Sequence, residues 1–340
     1  MVKHVRVAAF GEVMMRLQVP GYQLLSQAGS LDYSFSGTGV NVGSALASFG
    51  YDASLITRLP GNALGDAAAA SLRKLGLSTA DVIRGGSSLG MYFLESGFGA
   101  RPSRVTYAGR QASSFNTAPD DAYDYAMLAA GIDVVHFCGI TLAMNDAVRR
   151  HMLELAAAVK AKGGTVVFDC NYRPGHWGED GYTKAKPYYE RMLRLADIVM
   201  MNERDAMCIL GMPTTKTDRL EQLTELIPQA ACRFGIAVIA GTHRTINSGN
   251  THTLQGFLYK HEAFSFSDQL TFAVYDRIGA GDAFASGIIH GELASFEAER
   301  TVRFAAAAAM LAHTVAGDTP MSSENEILHA MTNANGDVIR

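Results

Sequence analysis

The stretch Asp276-Arg277-Ile278-Gly279-Ala280-Gly281-Asp282-Ala283-Phe284 decides how the rest of the chain reads. The run before it, Leu270 to Tyr275, has the look of a β-strand, and Ala283 to Leu293 that of a helix. Gly279, Ala280 and Gly281 are small, so the backbone there can come close to a ligand. Amides that open a helix have no partner inside it, and the helix dipole adds partial positive charge at that end. Both features suit phosphate oxygens. Asp282 adds a carboxylate beside that site. A carboxylate repels phosphate, so binding alone gives no reason for it. A reaction that must deprotonate an attacking hydroxyl does.

A second glycine turn, Gly37-Thr38-Gly39-Val40-Asn41, leads into a small-residue helix, Val42 to Phe49, closed by Gly50. A dinucleotide turn G-x-G-x-x-G would need glycine where Val42 stands, which disfavours a nicotinamide oxidoreductase. Taken together, the two turns resemble the signatures of the ribokinase (PfkB) family of carbohydrate kinases. The family's C-terminal signature has the same G-A-G-D core, and usually Thr where this chain has Arg277. Its N-terminal signature is commonly G-G-x-x-x-N. Gly37 and Asn41 match it, and Thr38 takes the place of the second glycine. The resemblance extends from about residue 5 to about residue 320.

Composition agrees with an α/β enzyme. The chain has 340 residues, of which 48% are hydrophobic, enough for a sizeable core, and 34 glycines against 9 prolines, as tight strand–helix joints require. A net charge of −4 gives no support to a nucleic-acid partner. Cys138, Cys170, Cys208 and Cys232 are widely spaced and read as reduced thiols of a cytoplasmic protein. The histidines show no zinc-ligand spacing. The first apolar run, Val5 to Phe10, is too short for a signal peptide, and no stretch reaches the ~20 apolar residues that span a bilayer.

Along the chain, Val5–Phe10, Ser54–Thr57, Val134–Phe137, Thr165–Asp169, Ile198–Met201 and Ile236–Ala240 read as strands. Residues Ala67–Leu75 (capped by Asp66 after a turn at 62–65), Ala147–Lys162 and Thr301–Val315 read as helices. This alternation predicts a parallel sheet with helices on both faces. Residues 14–36, with Leu89–Glu95 and Arg104–Tyr107, read instead as short strands and turns forming a small separate sheet. The fold expected is therefore α/β: a ribokinase-like three-layer fold with a central, mostly parallel sheet and a small β-sheet lid. Residues 1–13, 38–87 and 117–340 would form the core, and 14–37 and 88–116 the lid. The polar tail from about Asn333 is expected to be loose.

Ligands of open α/β sheets bind beyond the carboxyl ends of the strands. Polar clusters follow several of the strands there: Asp169, Asn171, Tyr172 and Arg173; Asn202, Glu203 and Asp205; Gly241, Thr242 and Arg244. In a phosphoryl transfer, Gly279, Ala280 and Gly281 would supply donors and Asp282 the proton acceptor. The resemblance implies ATP and Mg²⁺, with a place for a monovalent cation such as K⁺. It assigns Gly37 and Asn41 to the sugar. Asn202 and Asp205 resemble its N-x-x-E motif, which holds Mg²⁺ through water, with Asp in place of Glu and Glu203 as a neighbouring acid. Asn202, Gly241, Thr242 and Arg244, with Gly279 and Gly281, would face the nucleotide. Gly11-Glu12-Val13-Met14 and Asp169-Cys170-Asn171-Tyr172-Arg173 look closest to 2-keto-3-deoxygluconate kinases. Carried over, Tyr92, Tyr107 and Arg110 of the lid, with Ile140 and Arg173, would meet the sugar acid. A neutral-sugar kinase such as a fructokinase shares D-x-N-x-R, and a non-catalytic sensor is a third reading. The resemblance also implies a homo-oligomer formed through the lid.

Overall fold

In the computed structural model, residues 3–332 are described; the expectation for the tail from Asn333 lies outside them. Lys3–Phe10 runs parallel to Tyr51–Leu59 on one side and Val134–Cys138 on the other. Thr165–Asp169, Ile198–Met200 and Val238–Ile246 continue the sheet in parallel, and Val82–Arg84 extends it beyond Tyr51–Leu59. Successive side chains of a strand point to opposite faces. Val166 and Phe168 accordingly join one core with the helices Asp146–Ala161, Gly181–Leu193 and Arg219–Phe234. Val167 joins the other core, with Thr38–Ser48, Ala280–Leu293 and Ala298–Ala312. Helices, sheet and helices make the three layers, so the fold is the expected mixed α/β one.

A second sheet has four strands, in the order Asp32–Ser36, Met14–Gln18, Gly90–Glu95, Arg104–Ala108. Tyr33, Val105 and Tyr107 stand exposed on it, with Leu24, Leu31 and Phe98 exposed in its connections. No helix among the described residues is long and apolar enough to cross a membrane.

Several boundaries depart from the sequence reading. The helix expected from Ala67 starts a turn earlier, at Ala63, because Asn62 caps it by accepting from the amides of Leu64 and Gly65. Asp66 falls in its first turn and pairs with Arg84. The helix expected from Val42 begins at Thr38, which puts Asn41 in its first turn. The strand expected to end at Ala240 runs on to Ile246, because Thr251–Lys260 pairs antiparallel along its whole length. Gly241, Thr242 and Arg244 therefore sit on a strand rather than in a loop. Ala263–Phe266 and Leu270–Ala273 both add to Thr251–Lys260, leaving residues 274–279 as the irregular approach to the glycine turn.

Candidate active site

Two adjoining cavities open at the carboxyl edge of the parallel strands. One, of about 450 Å³, lies under the small sheet and is lined by Gly37, Asn41, Tyr92, Tyr107, Ile140 and Asp282 among others. The second, of about 510 Å³, is lined by Asn202, Asp205, Gly241, Thr242, Ala280 and Phe284 among others. Both include Asn171, Arg173, Arg244 and Gly281, so they form one trough with the 279–281 turn at its waist. A larger cavity, about 630 Å³, opens at the opposite edge, where Val134, Thr165 and Ile198 begin their strands. It has no helix-opening glycine turn, so the chemistry is placed in the trough.

Gly279 caps the helix Ala280–Leu293 with φ +84°, and no side chain caps that end. Its first amides are left for a ligand. A Cβ on Gly279 would come within 1.7 Å of the Asp318 carbonyl oxygen, whereas one on Gly281 would meet nothing within 4 Å. The first glycine is thus dictated by a tight contact and the last faces open space. A Cβ on Gly37 would fall 2.2 Å from the Glu12 carbonyl oxygen, so that turn too needs close backbone approach.

Asp282 is only 6% exposed. Burial pushes its carboxyl up to about 6, while the Asn41 hydrogen bond and the Arg173 charge pull the other way. Asn41 donates from Nδ2 to Asp282 Oδ2 at 2.6 Å, and its own Oδ1 accepts from the Thr319 hydroxyl at 3.2 Å. Asn41, expected at the sugar, therefore also orients the carboxylate. Asp169 is pushed up to about 7 by burial and then by the Asp282 charge, and Asp205 to about 6 by burial. The carboxyls share one poorly hydrated region, and their titrations belong to the group.

Asp318 is a residue that sequence reasoning missed. Its carboxylate accepts from Ser36 Oγ at 2.8 Å and from the Tyr92 hydroxyl, and forms an ion pair with Arg16. Arg16, 2% exposed, also reaches Asp276 at 3.0 Å. Three side chains of the small sheet thus converge on one buried acid whose backbone oxygen abuts Gly279. The Tyr92 ring lines the cavity, but its hydroxyl is already engaged. An arginine alternating with Met15 and Leu17 on a predicted strand was the available signal; Asp318, in the irregular segment after the last core helix, gave none.

The remaining expected residues divide. Ile140, Tyr107 and Arg173 line the cavity under the small sheet. Arg110 does not; it is buried, donates from Nε to Glu12 at 2.8 Å and pairs with His176 Nε2 at 3.0 Å. Its guanidinium stacks 4.9 Å from the Tyr107 ring. Its contribution is to hold the lid tyrosine. Glu203, also fully buried, is taken by Arg219 and His243 rather than facing the trough. Asn202 Oδ1 accepts from the amides of Arg204 and Asp205, and Asp205 Oδ2 from the amide of Asn202. Among the described residues no three His, Cys, Asp or Glu groups close on a point to cage a metal. A magnesium ion does not need such a cage, since it keeps several waters, and oxygen donors beside buried acids suit it.

The chain belongs to the pfkB family of carbohydrate kinases, whose model matches residues 5–325. A 2-dehydro-3-deoxygalactonokinase of Haloferax volcanii is 27% identical over 322 residues, 94% of this chain and 95% of that one. The structure of a candidate 2-keto-3-deoxygluconate kinase from Enterococcus faecalis superposes with a TM-score of 0.94 at 39% identity, covering 99% of both chains. That of a 2-dehydro-3-deoxygluconokinase from Thermotoga maritima gives 0.92 at 32% identity, covering 97% of this chain and 99% of that one. The protein is thus a carbohydrate kinase, and the family uses ATP.

Removing the charge of Asp318 leaves Arg16 with one acid instead of two. Asp318→Asn is expected to destabilise the protein by about 2 kcal/mol in denaturant unfolding, the scale of hydrogen bonds to a charged group, since Asp276 still compensates Arg16. A change below about 0.5 kcal/mol, the range of ordinary surface substitutions, would mean that the acid does not tie the sheets together.

Proposed function

We propose that the protein transfers the terminal phosphoryl group of ATP to the 6-hydroxyl of 2-keto-3-deoxygluconate. The observation that carries the chemistry is a buried, raised-pKa carboxylate, Asp282, beside helix-opening amides that no side chain caps. The sugar would lie under the small sheet against Gly37, Asn41, Tyr92, Tyr107 and Ile140. The nucleotide would lie along Asn202, Gly241, Thr242 and Arg244, bringing its terminal phosphate to Gly279, Ala280 and Gly281. Asp282 takes the hydroxyl proton as the sugar oxygen bonds to phosphorus, the bridging P–O bond breaks, and ADP leaves. The amides stabilise charge where it builds, in a site that excludes water. Mg²⁺, when bound, neutralises phosphate charge. Asn202 and Asp205 would hold it through water.

The acid substrate is supported by the relatives' names and by charge. Arg173, Arg244 and Arg277 line the sugar-side cavity, and none of the three makes an ion pair with a carboxylate among the described residues. ATP alone could account for Arg244 and Arg277, whereas Arg173 can grip a substrate carboxylate with two hydrogen bonds, for which a neutral sugar has no use. The exposed Tyr33, Leu31 and Phe98 of the lid region suit contact with a second copy. Light scattering is expected to read a dimer's mass, and a monomer at working concentration would remove this part of the reading.

Asp282→Asn is expected to lower kcat by roughly 10²–10⁴ with nucleotide binding kept, as loss of a general base does. Near-normal turnover refutes the role. In a panel of sugars assayed by ADP release, the keto-deoxy acid is expected to exceed fructose. Arg173→Ala should cut use of the acid far more than use of neutral sugars; equal losses would count against carboxylate recognition.

A further inference from the structure

The three guanidinium groups of the trough do not have equivalent surroundings. Arg173 faces acids: its charge lowers Asp169, Asp205 and Asp282. Arg244 and Arg277 face each other. Burial and then the Arg277 charge hold Arg244 below its ordinary value. Asp276, next to Arg277 in sequence, forms its ion pair with Arg16 and accepts from the amides of Arg277, Ile278 and Gly317 rather than pairing with either guanidinium. Behind the pair stand His252, which burial and then the Arg244 charge lower to about 4, and His313, which burial lowers against the pull of its Ala309 hydrogen bond. Two like charges lining one cavity repel, weakly because both side chains are exposed to solvent, and an anion of more than one charge between them relieves that repulsion.

Which anion is settled by position. Arg277 lies two residues before the amides of 279–281 and lines the same cavity as Gly279 and Gly281. Arg244 lines both halves of the trough, across the waist where a phosphoryl group passes from nucleotide to sugar. We propose that Arg277, together with Arg244, closes on the terminal phosphoryl group of the nucleotide, and that Arg277 is a catalytic residue of the transfer. This rests on the phosphoryl-transfer reading above. A guanidinium fork matches phosphate oxygens and stays charged throughout. It stabilises the charge that spreads over the equatorial oxygens as the bridging P–O bond breaks and the bond to the sugar oxygen forms. The threonine usual at this position in the family brings no charge.

Arg277 is exposed, so its replacement should leave the fold intact. The test compares wild type, Arg277→Ala and Arg277→Lys, with Mg²⁺ present throughout. Affinities for ATP and ADP are measured calorimetrically without sugar, and kcat and KM with the sugar acid. The alanine variant is expected to bind ATP roughly 10- to 100-fold more weakly, with ADP affected much less, as loss of a charged hydrogen bond to the third phosphate implies. Its kcat should fall about 100-fold, with KM for the acid little changed. Lysine should restore part of the ATP preference and little of kcat, because a point charge lacks the fork. An alanine variant with the wild-type ATP-to-ADP ratio and kcat overturns the proposal. So does a rise in KM confined to acid substrates with the ratio unchanged, which would make Arg277 a carboxylate reader. If the wild type releases no ADP with any sugar, the kinase reading fails, while the binding ratio still decides whether Arg277 holds the third phosphate.

Discussion

A carboxylate and a phosphate repel each other, and the proposed transfer would bring them side by side at this site. The arrangement works only if neither can move away. Asp282 is fixed by the first turn of its own helix and by Asn41, whose amide is oriented in turn by Thr319. The phosphate side is fixed by a glycine turn whose left-handed residue, Gly279, presses on the Asp318 carbonyl oxygen. Asp318 then ties the turn to the small sheet through Arg16, Ser36 and Tyr92. The small sheet over one cavity and the glycine turn at its edge are thereby built on one buried acid.

The electrostatics follow from burial. Asp282, Asp169 and Asp205 are all raised by loss of water, so each binds its proton more tightly than a surface carboxyl. That makes Asp282 a better base than an ordinary aspartate, provided the working pH lies above its own value. The trough also gathers Arg173, Arg244 and Arg277, none of which makes an ion pair with a carboxylate among the described residues. Before ligands bind, the site thus holds separated charge that two anionic substrates would balance.

Much of this was legible in the sequence, for identifiable reasons. The G-A-G-D turn can be read because each residue type has its own backbone or charge argument. The parallel strands can be read because Val166-Val167-Phe168 and Ile198-Val199-Met200 are apolar on both faces. Thr251–Lys260 was missed because His252, Thr253 and Gln255 break its apolar pattern, and its partner makes Val238–Ile246 longer than its apolar part suggests. Arg110 was misjudged because spacing cannot show that a buried glutamate, Glu12, lies within reach. Asp318 and Arg16 were out of reach for the same reason: 302 positions separate two residues that a single ion pair joins.

The most direct measurement of the central claim is the pH dependence of kcat/KM for the sugar, with the Mg–nucleotide complex saturating. Asp282 must be ionised to accept the proton, and its folded value is raised to about 6. Activity should therefore be full above that pH and fall tenfold per unit below it, with the limb vanishing from the residual rate of Asp282→Asn. A limb near the ordinary aspartate range of about 4, or one that persists unchanged in Asp282→Asn, would contradict the assignment of the buried carboxylate as the base.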